Sequence, residues 1–74
     1  MKTFYFGFKG REVGAIGVTD QHHKTVVAET LKDAVLSLYN DYEHISIFSI
    51  DIFDDSGIIR VARGFSDCLR LTNE

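Results

Sequence analysis

A chain of 74 residues carrying a formal net charge of −3, with 45% hydrophobic residues, one cysteine and no proline, has room for one domain and is too apolar to be disordered. The single thiol, Cys68, excludes an intrachain disulfide. The acidic balance disfavours a general nucleic-acid binder, and no stretch approaches the roughly 20 apolar residues of a membrane span. A domain this small buries only about 60% of the surface its unfolded chain exposes, so an apolar core or association with another chain must supply its stability.

Residues 2–8 alternate, with Phe4, Phe6 and Phe8 on one face and Tyr5 and Gly7 on the other, which predicts a strand. Lys9-Gly10-Arg11-Glu12 reads as a turn. Residues 13–19 read as a second strand, weakened by Gly14 and Gly17. Asp20-Gln21-His22-His23 reads as another turn, and residues 24–29 as a third strand that closes an antiparallel meander.

Thr30 stands where an N-cap belongs, with Asp33 three residues later. Leu31, Ala34, Val35, Leu38 and Tyr42 then recur at spacings of three and four, which predicts an amphipathic helix ending near Asn40-Asp41. Residues 45–53 are β-branched and aromatic and predict a strand. Ile45 and Ile47 share one phase while Phe48, Ile50 and Ile52 share the other, so a bulge near Phe48, or a strand covered on both faces, is expected.

Asp54-Asp55-Ser56-Gly57 is a turn signal. Residues 58–63 return as a last strand whose Arg60 and Arg63 would protect a sheet edge. Residues 66–74 read as a weakly structured tail with at most one helical turn after Ser66.

The expected order is βββαββ: an α+β domain over residues 1–65, with one helix packed on an antiparallel or mixed sheet in two layers. A ubiquitin-like β-grasp is the alternative if residues 24–29 form a loop. In either case the far face of the sheet is left for water or a partner.

Chemistry-bearing residues are sparse. Lys9, Gly10, Arg11, Gly14 and Gly17 combine two cations with three glycines, as an anion contact would. They match no phosphate-loop pattern, and a tight turn followed by a bulged strand explains them as well. His22 and His23 are adjacent, so a strand would point them apart, and neither has metal-ligand spacing. Nothing local activates Cys68. Asp51, Asp54 and Asp55 cluster around a turn, which is too wet for acid–base work but could dock on a basic surface. No catalytic residue, metal or cofactor is assigned.

The segment FYFGFKGREVGAIGV and the later run TVVAETLKDAVLSLYNDYEHI resemble small uncharacterised proteins encoded in phage genomes, over about the first two-thirds of the chain. The resemblance implies no reaction. It implies an accessory protein acting in the host cytoplasm by binding a host component.

The sequence is therefore read as a non-catalytic binding protein that inhibits or modulates a host protein. Tyr5, Tyr39, Tyr42, Asp54 and Asp55 are its candidate contact residues, although Tyr39 and Tyr42 fit a core role equally. Self-association as a homodimer or higher is expected from the small core. A nucleotide or small-anion binder using residues 9–17 is the alternative.

Overall fold

A computed structural model describes residues 1–73. The elements run β1 (Lys2–Glu12), β2 (Asp20–Ala28), α1 (Leu31–Asp41), β3 (Tyr42–Asp54), β4 (Gly57–Arg63) and α2 (Phe65–Thr72). The four strands form one sheet in the order β2-β1-β3-β4, and all three ladders are antiparallel. The fold is thus α+β in two layers, in the order ββαββα. Neither the mixed sheet nor the grasp topology describes this pairing.

Alternation on β1 sets the layers. Phe4, Phe6 and Phe8 are buried under the helices together with Ile50 and Ile52 of β3, Ala62 of β4, Ala34 and Leu38 of α1, and Cys68 and Leu71 of α2. Burying a side chain of Phe or Ile size stabilises by about 1.5–3 kcal/mol, so this one face carries the hydrophobic stability of the domain. α1 packs over β1, β2 and β3, and α2 over β3 and β4. Helices on one side of a single sheet make a slab, and the chain measures 41 × 23 × 18 Å.

α1 starts where its cap requires. The Asp33 amide donates to Thr30 Oγ1 at 3.2 Å, which satisfies one of the free N–H groups of the first turn. The turn between β3 and β4 is held by Asp54, whose Oδ1 accepts from the Ser56 amide at 2.8 Å and from Ser56 Oγ at 2.6 Å.

Five segments differ from the sequence reading, the first being residues 42–44: Tyr42, counted in the helix stripe, is extended and opens β3, where it pairs with Glu12. Residues 9–12 continue β1 instead of turning. Gly10 lies within the strand because a Cβ there would stand 3.1 Å from the Glu43 carbonyl oxygen, so it is a close-approach glycine, not a turn glycine.

Residues 13–19 form a loop, not a strand, with Gly14 and Gly17 at positive φ. β1 pairs directly with β2 and β3 on its two edges, so no edge of β1 remains for this segment, and Val13, Ile16 and Val18 stay exposed. Residues 20–23 belong to β2 rather than a turn, because the longer β1 offers Lys9 and Gly10 as register partners for Gln21 and Asp20.

The tail carries α2, and the domain extends to Thr72. Cys68 and Leu71 share one stripe and close the core over β3 and β4. Gly64 caps α2 without a side-chain hydrogen bond, so the start signal that marks α1 is missing here.

Candidate functional site

The helices cover one face of the sheet and leave the other open. Register places Thr3, Tyr5 and Gly7 of β1 on the open face, with His23, Thr25 and Val27 of β2, Ser49, Asp51 and Phe53 of β3, and Ile58, Val61 and Arg63 of β4. Tyr5 is 45% exposed, Val61 53%, Val27 61% and Ile58 65%. The rows across the sheet interleave these apolar side chains with Thr3, Thr25, Ser49 and Asp51, an amphipathic face of the kind that contact sites use.

Two aromatic groups structure the face. Tyr5 and Phe53 meet edge to face with centroids 5.1 Å apart, on the two middle strands. Phe48 meets His23 at 6.2 Å and Phe65, at the start of α2, at 6.2 Å. Of the two expectations for this strand, the bulge is found: Gly7 pairs with Ser49 but Phe8 with Ile47, so Phe48 is the extra residue and faces away from Ile50 and Ile52, with which its phase had grouped it.

The charges of the face are compensated. Arg63 Nη1 donates to Asp51 Oδ1, and this bond holds the guanidinium above its usual pKa. Further along, Arg11 Nε donates to Glu43 Oε1 at 2.8 Å. An exposed pair of this kind contributes at most about 1 kcal/mol to stability. Its larger effect is to leave no unpaired carboxylate among the described residues of the patch, whose remaining charge is the exposed Lys9 of β1.

The structure separates the candidate contact residues. Tyr5 lies near the middle of the open face. Tyr39 is exposed on α1, on the helical layer. Tyr42 is buried, 5.1 Å from Phe8 and 4.8 Å from His22 between ring centroids, with Lys24 Nζ 5.5 Å from its own centroid; it serves the core. Asp54 holds the turn, and its hydrogen bonds from Ser56 keep its carboxyl below the usual range. Asp55 is exposed beside it.

The candidate anion residues are spread out. Lys9, Gly10 and Arg11 lie along β1, while Gly14 and Gly17 lie in the following loop. Arg11 links the two, since its Nη1 donates to the Gly17 carbonyl at 3.5 Å and its Nη2 lies 3.3 Å from His44 Nε2. With Nε on Glu43, the guanidinium is engaged on three sides.

On the helical layer, a cleft of about 600 Å³ opens between the start of α1 and the end of α2, floored by Phe4 and Ile52. Its lining among the described residues holds no histidine, cysteine or carboxylate, so it contains no acid–base pair. A smaller cleft of about 290 Å³ at the other end of the helices includes Cys68. Burial pushes that thiol up from its ordinary value, opposite to the shift an activated nucleophile needs. Among the described residues, no group of three or more His, Cys, Asp or Glu side chains could hold a metal ion.

No protein-family model, curated protein or solved structure matches the chain. The sequence reading missed Phe53, Val27, Val61 and Ile58 as surface residues. Their signal was the phase of β3 and β4 relative to β1, which depends on the register and on the Phe48 bulge.

Proposed function

We propose that this chain is a non-catalytic binding protein whose open sheet face, centred on Tyr5 and Phe53, docks onto another protein. The observation that carries the reading is an amphipathic sheet face, its carboxylates paired with arginines, that no element among the described residues covers. Tyrosine suits such a role because it offers large contact area with little side-chain entropy to lose. The resemblance of the sequence to phage accessory proteins favours a host protein in the cytoplasm as the partner, which this chain would inhibit or modulate.

The test is capture from host lysate with the immobilised chain, compared with a Val61→Lys variant. A discrete protein retained by the wild type and lost with Val61→Lys supports the reading. Retention unaffected by Val61→Lys, or no retention at all, counts against it.

A nucleotide or small anion held by Lys9, Arg11 and the nearby glycines is the weaker reading, because Arg11 is already committed to Glu43 and the Gly17 carbonyl. A rise in Tm with a nucleotide panel, lost in Lys9→Ala, would favour it.

A further inference from the structure

We infer that the open sheet face pairs with a second copy of this chain, the two sheets packing face to face about a two-fold axis. This rests on the reading of the face as a contact surface and names its occupant in the free protein; a host partner would then compete with the second copy.

The first argument is area. Four strands spaced about 4.8 Å apart and paired over about 25 Å present about 500 Å² in projection. Two copies face to face therefore remove about 1,000 Å² or more in total, which reaches the threshold for a specific interface. Sheets pack in this way about 10 Å apart, with strand directions within about 30°.

The second argument is charge. A two-fold contact brings a patch against itself, so any net charge on it repels. The chain as a whole carries −3. On this face, however, Asp51 is held by Arg63 and Glu43 by Arg11, so two copies meet without unbalanced carboxylates, and the single charge left over is Lys9, beyond the Tyr5 and Phe53 rows.

The third is arrangement. Tyr5 and Phe53 stand on the middle strands, Val27 and Val61 on the flanking ones. An axis passing between β1 and β3 puts the aromatic pair at the centre and the valines around it, the layout in which central aromatic residues dominate binding. Aromatic residues on a four-stranded sheet can also stack bases. Following a phosphate backbone needs several cations that are not already neutralised; both arginines of this face are held on carboxylates, which leaves Lys9.

Sedimentation velocity of the full chain, from low micromolar to near-millimolar concentration, should show a monomer–dimer equilibrium in the micromolar range. Val61→Lys and Val27→Lys lie at exposed positions on opposite flanks, and each should weaken the dimer by about tenfold or more. Leu36→Lys, on the exposed side of α1, should leave it unchanged. Matching circular dichroism spectra establish that each variant folds, and Val27→Lys serves if Val61→Lys does not.

A wild-type monomer at every concentration overturns the second-copy assignment, while Val61-dependent capture of a host protein would still stand. A dimer insensitive to both valine substitutions places the contact elsewhere and also overturns it. So does a single-stranded oligonucleotide that co-sediments with the wild type and not with Val61→Lys.

Discussion

The Phe48 ring lies over Gly7: a Cβ built on residue 7 would stand 2.9 Å from Phe48 Cε1 and 3.3 Å from the Ser49 Cβ. The bulge that turns Phe48 onto the open face therefore requires a glycine on the neighbouring strand. Gly7→Ala should destabilise the fold by about 1–2 kcal/mol, as small-to-large changes in packed sites do. Adding Phe48→Ala should recover part of that loss, because the ring is the nearest obstacle. Urea unfolding of the two single variants and the double variant measures the coupling. Additive losses would show that Phe48 does not lie where Gly7 makes room for it.

α2 closes the core with Cys68 and Leu71, and its other side faces solvent. Leu71→Ala should cost about 2–4 kcal/mol, the range for emptying a buried leucine site. Leu69→Ala, at a position 63% exposed, should change stability by no more than about 0.5 kcal/mol. Equal, small effects at both positions would mean that the C-terminal segment does not dock.

The start of α1 depends on one hydroxyl. Thr30→Ala removes the acceptor for the Asp33 amide and should cost about 1 kcal/mol, whereas Thr30→Ser should cost little. Thermal unfolding of the pair provides the check, and identical Tm values would show that the cap contributes nothing.

Cys68 is buried, and burial raises its thiol pKa. The folded state therefore prefers the protonated thiol. Its contribution to stability is full below the unfolded value of about 8.5 and is lost as pH rises through the higher folded value. Stability should thus decline through the alkaline range more steeply in the wild type than in Cys68→Ala. Alkylation in the native state should be slow and should accelerate in urea. Rapid labelling of the folded protein would contradict this burial.

Asp54 has the opposite sign. The hydrogen bonds from Ser56 lower its carboxyl pKa, so its contribution is present above the usual carboxylate value and fades as pH falls through the folded value. Asp54→Ala should destabilise the hairpin at neutral pH and narrow the gap to the wild type in acid. A gap independent of pH would show that the turn does not depend on the charged carboxylate. The site is solvent-exposed, so the effect should be modest.

Much of the scaffold was written in local pattern. The period-two phenylalanines of β1, the Thr30 cap with its apolar stripe, the Asp54–Gly57 turn and the phase slip at Phe48 are all signals carried by residues within a few positions of one another. Local sterics and solvation alone are enough to specify them. The α+β class follows from those elements.

Only the tertiary structure decided the rest. Gly10 looked like a turn because the approaching Glu43 carbonyl lies 33 residues further along the chain. Residues 13–19 looked like a strand because their apolar pattern cannot reveal that both edges of β1 are already occupied. The open face could not be read until the register of four strands had placed Tyr5, Phe53, Val27 and Val61 together. In a β-sheet, which side chains share a face is set by pairing between distant segments, and a one-residue slip reverses every assignment.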